Sequence, residues 1–423
     1  MTVGKRGIVA WALYDWGNSA VSTIVFTFVF ATYFATGVYG NEAEGQAALG
    51  FALGVYGAVV LFGAPVLGAI ADRVGRRKPW IAAFTAASVI GVASLWFVEP
   101  DQSWIAYALI AFGLANIGFE FAIVFYNAML PSVAPPGWIG RVSGWAWGFG
   151  YFGGVVSLAV CLFVFLQPDP PPFGLDPDMA EHVRVTSVVA AVWMAVFAIP
   201  LFLLTPDAPS TGVKLRDAVG AGLRQLVETV RTVRTKRDLA IFLVGSALYR
   251  DGLGLLFAFG GVYAANKYGM SFDELVQFAI GMNVTAGIGS VLLARFDDKL
   301  GSKPTILISL VLLIIIGSAT LLAPDKTWFF GLALTLGLFI GPAQSAGRSM
   351  VARLSPPEIV AEAYGLYAMT GKTVAAIGPF LLGVMTVAYG QTAGMFVAVA
   401  LWVLGGIAVS FVRDRGERSD YTA

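Results

Sequence analysis

Five ionisable residues interrupt long apolar stretches of this 423-residue chain: Asp15, Glu120, Arg250, Asp251 and Lys372. Three acids and two bases of this kind suit a small zwitterion, because the bases attract its carboxylate and the acids attract its ammonium group. The same carboxyls are suited to taking up and releasing a proton. The alternative is a structural role, with Arg250 and Asp251 paired in a salt bridge.

The stretches that hold these residues belong to a set of twelve. Hydrophobic residues make up 57% of the chain and charged residues 13%, and the mean hydropathy is +0.77. Soluble domains contain about 25% charged residues, and a helix that crosses a bilayer needs roughly 20 mostly apolar residues. We therefore predict an all-α membrane protein with twelve transmembrane helices, near residues 9–35, 48–70, 79–98, 103–129, 142–166, 183–204, 239–264, 275–296, 304–323, 327–350, 361–387 and 393–412.

Positive charges are distributed very unequally between the two sets of alternate loops. One set holds nearly all of the Lys and Arg residues, and the opposite set holds Arg184, Lys267 and Lys326. Because Lys and Arg are retained in cytoplasmic loops, both termini are predicted to be cytoplasmic. We expect an integral protein of a bacterial inner (plasma) membrane. The side of the spans that carries the basic loops is called the basic side below.

The two halves of the chain repeat. Residues 12–15 read ALYD and 247–251 read ALYRD, 72–75 read DRVG and 298–301 read DKLG, and a double proline stands at 135–136 and at 356–357. Two parallel six-helix repeats place a substrate cavity between them near the membrane midplane. We predict an N-terminal six-helix half at 1–205, a connection at 206–238, a C-terminal six-helix half at 239–412 and a cytoplasmic tail at 413–423.

The connection between the halves contains an amphipathic pattern. Apolar residues recur there at steps of three and four, at Leu215, Val219, Leu223, Leu226, Val230 and Val233. This spacing predicts a helix that lies on the inner membrane surface. It is a tether between the halves or, alternatively, a regulatory site.

The loop after the second predicted span carries a specific motif, since residues 68–78 read GAIADRVGRRK. The motif resembles the loop signature of the major facilitator superfamily. Gly75 is suited to a tight turn, and Asp72, near a helix end, is suited to a charge contact that latches one conformation. The alternative is that the basic residues only fix topology. We predict a gating role for Asp72, Arg73, Gly75, Arg76, Arg77, Lys78, Asp298, Lys299 and Arg348.

A second resemblance covers essentially the whole chain. It is carried by residues 14–16 (YDW) and by a block between 341 and 379 that includes Arg348, Lys372 and Pro379. The chain resembles the "unknown major facilitator" branch, which is similar to the autophagy-related vacuolar amino-acid effluxers of fungi. The resemblance implies a secondary transporter that works by alternating access, with spans one, four, seven and ten lining the cavity and span eleven beside it.

This arrangement and the intramembrane charges assign the candidate site. We predict substrate-binding roles for Lys372, Arg250, Glu120, Tyr14, Asn18, Asn127 and Gln344, and proton coupling for Glu120, Asp15 and Asp251. With a rise of about 1.5 Å per residue, Arg250 and Lys372 lie roughly 17 Å from the inner ends of their spans. Glu120 is the first choice for the proton-linked carboxyl, because it is the lone acid of span four.

The glycines of the fifth predicted span form a series: Gly144, Gly148, Gly150, Gly153 and Gly154. Small residues at such spacing allow close packing of membrane helices. A gating role for these glycines is the alternative.

Other functions are less compatible with the chain. A lipid or lysolipid mover needs fewer buried charges, and a transport-dead sensor needs a larger cytoplasmic domain. The sequence has no P-loop, metal-ligand cluster or catalytic motif, so we expect neither an enzyme nor a cofactor. The expected partners are a small-molecule substrate and the lipid bilayer, without nucleic acid, and we expect a monomer.

Overall fold

The computed structural model describes residues 4–231 and 236–413. Within these residues, twelve helices are long and apolar enough to cross a membrane, which confirms the predicted all-α membrane fold. Every predicted span overlaps one of them. They are Lys5–Val38, Glu42–Val74, Lys78–Phe97, Gln102–Ala128, Ile139–Leu166, Glu181–Leu204, Arg237–Tyr268, Glu274–Leu300, Ser302–Leu321, Lys326–Leu354, Pro357–Tyr389 and Gln391–Ser410, called spans 1 to 12.

Span 1 is not a regular α-helix along its whole length. It is α-helical over Lys5–Ala20 and then widens into π-helix over Val21–Phe28 and again over Phe34–Val38. Tyr14 and Asp15 lie in the α-helical part, before the first π-helical segment. Such π-helical segments inside α-helices are frequent at functional sites.

Span 11 is interrupted near its middle. A first helix, Val360–Val374, ends at a turn of residues 375 and 376, and a second helix, Ile377–Tyr389, follows. Pro379 explains the interruption, because it has no N–H to donate to the carbonyl group of Ala375 and its ring crowds that carbonyl.

The described residues form two compact units. The first unit comprises Met1–Gly63, Arg76–Val133 and Phe149–Pro209. Its spans 3 and 4 pack closely at two glycines. A Cβ atom on Gly91 would lie 2.5 Å from the backbone nitrogen of Ala115, and one on Gly118 would lie 2.7 Å from that of Ser88. Only glycine allows backbones to approach this closely.

The second unit comprises Ala64–Gly75, Ala134–Gly148 and Ser210–Ala423. By their contacts, the basic-side ends of spans 2 and 5 therefore belong with spans 7 to 12. Spans 8 and 10 approach each other at Gly341, where a Cβ atom would lie 2.3 Å from the carbonyl oxygen of Ala286. The boundaries of the two six-helix halves, at residues 205 and 239, stay a prediction.

The glycine series of span 5 lies at close helix contacts, as the packing interpretation predicts. A Cβ atom on Gly144 would lie 2.5 Å from the carbonyl oxygen of Ser290 in span 8. One on Gly153 would lie 2.5 Å from the carbonyl oxygen of Trp16 in span 1. The glycines are thus required by packing in each unit.

The connection contains a helix over Leu215–Arg231, where the amphipathic pattern predicts one. One face, with Ala218, Gly222 and Gln225, is buried. Of the predicted apolar face, Leu215, Val219 and Leu223 are exposed and Leu226 is half-buried. Among the predicted residues, the side chain of Val230 and all of Val233 lie outside the described residues, as does the tail beyond 413.

The predicted topology has a direct test. A cysteine at exposed Ser210, in the basic connection, is expected to stay unlabelled by an impermeant maleimide in intact cells and to react after permeabilisation. Asp178→Cys, in the exposed loop of the opposite side, should react in intact cells. Native Cys161 is buried and gives little background. Strong labelling at position 210 from outside would reverse the assigned orientation.

Candidate functional site

In the first unit, three predicted residues lie on the regular part of span 1. Asp15 and Asn18 are buried, and Asn18 Nδ2 donates to Asp15 Oδ1 at 3.4 Å. The Tyr14 hydroxyl lies 2.7 Å from Thr85 Oγ1 of span 3. The local hydrogen bonds therefore hold a carboxylate, an amide and a phenol within one turn of helix.

An aromatic stack joins span 1 to span 4. The rings of Trp11 and Tyr14 stack on Tyr126, with centroid distances of 4.4 Å and 4.7 Å. The Tyr126 hydroxyl donates to the carbonyl oxygen of Trp11 at 3.1 Å. Spacings of four and seven residues place Glu120 on one face of span 4 with buried Asn116 and half-buried Asn127. The first unit thus offers amides and carboxyls next to aromatic rings.

In the second unit, Arg250 of span 7 contacts the first helix of span 11. Its guanidinium carbon lies 4.1 Å from the centre of the Tyr367 ring, a cation–π contact. Its Nη1 donates to the carbonyl oxygen of Tyr367 at 3.3 Å. Phe242 stacks on the same ring at 6.3 Å. Tyr367, which was not predicted, therefore orients the guanidinium group.

Lys372 follows a glycine that lies against this guanidinium group. A Cβ atom on its neighbour Gly371 would lie 3.2 Å from Arg250 Nη1. Lys372 is half-buried in the last turn of the first helix of span 11. The contact of Gly371 thus brings Arg250 to the helical turn that carries Lys372, although Arg250 and Lys372 are more than a hundred residues apart in the chain. A guanidinium and an ammonium group are the side chains that bind a carboxylate by charge-assisted hydrogen bonds.

Asp251 contacts the second helix of span 11. Its Oδ2 accepts the backbone N–H of Gly378 at 2.9 Å, and its side chain is buried. The neighbouring Arg250 binds the first helix of the same span. Arg250 thus contacts the first helix of span 11 and Asp251 contacts the second. The salt-bridge alternative had instead paired Arg250 with Asp251.

Arg348 of span 10 is buried at the basic side. Its Nε and Nη2 donate to Oγ and to the carbonyl oxygen of Ser143, at 2.9 Å and 2.6 Å. Ser143 belongs to the basic-side end of span 5. Gln344, predicted to bind substrate, is half-buried one turn earlier on span 10. Arg348 therefore ties span 10 to span 5, as a gating residue would.

Two repeat-related aspartates cap two helices in the same way. Asp72 Oδ1 and Oδ2 accept the backbone N–H groups of Ala361 and Glu362, at 3.0 Å and 2.8 Å. These are the second and third residues of the first helix of span 11. Each carboxylate oxygen satisfies a donor that the helix start leaves free, and the negative charge suits the helix dipole.

Asp298 repeats this geometry at span 5. Its carboxylate accepts the N–H groups of Gly140 and Arg141, at 2.7 Å and 3.2 Å, again the second and third residues of a helix. Arg141 Nε also lies 3.0 Å from Asp298 Oδ2. We call the contacts of Asp72 and Asp298 the basic-side junction.

Two glycines allow the close approach of spans 2 and 11 at this junction. A Cβ atom on Gly68 would lie 2.4 Å from the carbonyl oxygen of Ala361, and one on Gly365 would lie 2.4 Å from that of Ala64. Gly75 has a φ of 91°, in the left-handed region, as the predicted tight turn requires.

The basic residues of the motif lie elsewhere. The backbone N–H of Arg77 donates to Asp207 Oδ1 at 2.9 Å, and Lys78 Nζ donates to the carbonyl oxygen of Phe202 at 2.9 Å. These partners lie at the end of span 6, in the first unit. Arg73, Arg76 and Lys299 are exposed. Of the predicted gating set, Asp72, Asp298 and Arg348 make contacts between spans in the second unit, and Lys78 joins spans 3 and 6 in the first unit.

The sequence interpretation missed one polar pair at the junction. Gln225 of the connecting helix donates its Nε2 to Glu362 Oε2 at 2.7 Å. Glu362 is fully buried, and Gly222 of the same helix packs against Ile70 of span 2. The connecting helix thus contacts both span 2, which carries Asp72, and the first helix of span 11, which Asp72 caps. The sequence signal for this pair was Glu362, an acid at the start of a predicted span.

The junction yields a prediction for Asp72→Asn. The amide keeps the shape of the side chain but removes the charge and one acceptor, so the cap should weaken by about 0.3–1 kcal/mol, the value of a charge at a helix start. We expect slower turnover in proteoliposomes with substrate affinity largely unchanged. Asp298→Asn is the matched variant from the other repeat. Lost binding combined with unaltered conformational cycling would refute the latch.

The chain matches the vacuole effluxer Atg22-like family over residues 139–420, which is more than half of its length. The chain belongs to this family. Residues 3–158 match the major facilitator superfamily. The Atg22-like match contains the Arg348–Ser143 contact, the Asp298 cap and the interrupted span 11.

Relatives and solved structures agree with this assignment. This Atg22-like chain is 26% identical over 409 residues to the uncharacterised transporter YxiO of Bacillus subtilis, of the major facilitator type, covering 96% of this chain and 94% of YxiO. It is 27% identical over 303 residues to autophagy-related protein 22-1 of Penicillium rubens, covering 66% of this chain and about half (50%) of that protein. The proton:xylose symporter XylE superposes with a TM-score of 0.75 at 16% identity, covering 96% of this chain and 95% of XylE, which shows the shared fold.

Proposed function

We propose that this member of the Atg22-like family is a secondary active transporter that exports or exchanges a small zwitterion, such as an amino acid, in a proton-coupled cycle. Transport by the major facilitator fold is the general activity of its relatives. The observation that carries the proposal is the pair of cations in the second unit, Arg250 and Lys372.

This pair suits a carboxylate. The Arg250 guanidinium group is oriented by Tyr367 and lies against Gly371, the residue before Lys372 in the chain. Partly buried cations are costly in a membrane span, and charged residues there usually serve a substrate or ion pathway. A carboxylate bound between a guanidinium and an ammonium group gains charge-assisted hydrogen bonds from both.

Within the first unit, two acids have the charge that an ammonium group requires. Asp15 is buried with Asn18, and Glu120 is half-buried on one face of span 4. An ammonium group and a proton compete for a carboxylate. The same acids therefore provide a simple chemical basis for exchange of substrate and proton.

The family description supports the direction of transport, since it names effluxers. We propose a bacterial inner membrane, cytoplasmic termini and a monomer. No enzymatic activity is proposed. The gating part of the proposal places Asp72, Asp298 and Arg348 at the basic-side junction.

A thermal-shift screen of the purified protein against amino acids, peptides, sugars and lysolipids tests the substrate class. A ligand at a hundred times its Kd stabilises the folded state by about 2.7 kcal/mol, so we expect a clear rise in Tm with one or a few amino acids. Counterflow in proteoliposomes, with and without a pH gradient, then tests transport. Stabilisation by lysolipids alone would replace the zwitterion with a lipid substrate.

A further inference from the structure

The interruption of span 11 meets two oppositely charged neighbours on span 7. Arg250 donates to a carbonyl oxygen of the first helix, and Asp251 accepts an N–H group at the start of the second. A helix carries partial negative charge at its carboxyl end and partial positive charge at its amino end. Asp251 therefore complements the helix start that it contacts, whereas Arg250 binds the first helix near its middle, at Tyr367.

The contact of Asp251 replaces a helical hydrogen bond. In a continuous helix, the N–H of Gly378 would donate to the carbonyl oxygen of Val374, four residues earlier. Here it donates to Asp251 Oδ2 at 2.9 Å. The carboxylate thus stabilises the interrupted form of span 11, which Pro379 alone would leave with a free donor.

Gly378 permits the approach of the carboxylate. A Cβ atom at this position would lie 2.6 Å from Asp251 Oδ2 and 2.9 Å from Cγ. Any larger residue would displace the acid from the amide. The absence of a side chain at Gly378 therefore makes room for the carboxylate of Asp251.

We infer that Asp251 is a positioning residue of the transport cycle: its ionised carboxylate holds the second helix of span 11, and protonation of the carboxyl releases it. The inference rests on the proposed function in one respect, the proton as coupling ion. A neutral carboxyl loses the charge that the helix start attracts, so the two helices of span 11 become free to change their mutual angle. Proton binding would thereby move the span that carries Lys372.

Among the described residues, Tyr249 and Arg250 are the chain neighbours of Asp251 on its amino-terminal side. The first helix of span 11 carries Glu362, Tyr364, Tyr367 and Lys372. Span 10 carries Arg348, which donates to Ser143. Span 8 carries its acids and bases near its ends. Span 12 and the second helix of span 11 contain no Asp, Glu, Lys, Arg or His within Gln391–Ser410 and Ile377–Tyr389.

Amide hydrogen exchange of the purified full-length protein tests the inference without any substrate. Exchange of residues 374–382 is measured at about pH 5.5 and about pH 8, with labelling times corrected for the intrinsic effect of pH. We expect protection at the higher pH to exceed that at the lower pH by about fivefold or more, the effect of one kcal/mol at a helix start. In Asp251→Asn, protection should be low at both pH values.

Asp238→Asn is the matched control on the same span. Asp238 also accepts a backbone N–H, that of Arg413, at 3.0 Å. It should leave the pH dependence at 374–382 intact. Gly378→Ala serves as a second variant if Asp251→Asn does not fold, because the added methyl group displaces the carboxylate and should lower protection at both pH values.

Two results would overturn the inference: protection at 374–382 that does not change with pH in the wild type, or wild-type pH dependence in Asp251→Asn. These results leave the proposed function untouched, since proton-driven flux through Glu120 would still be measurable. Conversely, a pH-dependent span 11 in a protein without proton-driven flux would retain the role of Asp251 in holding span 11 but would remove both its part in the transport cycle and proton coupling from the proposed function.

Discussion

Lys372→Ala is expected to weaken binding of the zwitterionic substrate by about 1.5–3 kcal/mol, the value of a hydrogen bond to a charged group. That loss corresponds to a Kd roughly 10- to 150-fold higher. Lys372 stands where the first repeat has Tyr151, so the symmetry of the halves does not require a charge there. Its neighbour Gly371 lies against Arg250, and we propose that both cations bind the same carboxylate.

Titration calorimetry or a thermal-shift titration with the amino acid found by screening measures the effect. Lys372→Arg should restore binding only in part, because the guanidinium group is larger and planar. Lys326→Ala is the matched control, since Lys326 pairs with Glu274 at 2.6 Å and its side chain is 45% exposed. Normal binding and transport by Lys372→Ala would exclude the zwitterion and favour a lipid or neutral solute.

Glu120→Gln is expected to abolish flux driven by a pH gradient while exchange of substrate across the membrane continues. Glutamine keeps the size and hydrogen-bonding capacity of the side chain but cannot carry a proton. Glu120 is the only acid of span 4 and lies on a polar face with Asn116 and Asn127. Removal of this titratable group should therefore abolish proton coupling while the substrate-binding site is retained.

The measurement is uptake into proteoliposomes with an imposed pH gradient, compared with counterflow at equal pH. Glu42→Gln is the matched control, because Glu42 is exposed at the start of span 2 and accepts a hydrogen bond from Gln46 at 3.0 Å. It should behave as the wild type. Gradient-driven transport at the wild-type rate in Glu120→Gln would end the assignment of this carboxyl.

The spans and the repeat could be predicted because membrane helices must satisfy their backbone groups internally and display a long apolar stretch. The equivalence of Asp72 and Asp298 was visible in their similar motifs, DRVG and DKLG. Both acids cap the second and third residues of a helix. A repeated motif therefore preserved the geometry of a contact as well as a local turn.

The partners of the predicted charges could not be predicted from spacing. Arg250 and Asp251 are adjacent, which favours the idea of a salt bridge, yet their bonds go to Tyr367 and Gly378, more than a hundred residues away. Long-range contacts of this kind depend on how two spans are rotated against each other. Helical periodicity indicates which residues share one face of a span, but it does not indicate which residues of two neighbouring spans meet.

The interruption of span 11 did have a local signal. Gly378 and Pro379 stand in the middle of the predicted span, and proline removes a helical hydrogen bond. The pattern was interpreted as one continuous span because its apolar residues continue on both sides. Likewise, the basic motif after span 2 was treated as one group, although Asp72 and Lys78 bind different units.

The caps formed by Asp72 and Asp298 have a consequence for the response to ionic strength. Their main partners are backbone N–H groups at 2.7–3.2 Å, and the side chain of Asp298 is only 2% exposed. Mobile counter-ions screen exposed charges far more than short, buried contacts. Added salt should therefore screen exposed Arg73 and Arg76 while leaving the helix caps intact. A salt series can separate effects of these exposed basic residues from effects of the junction.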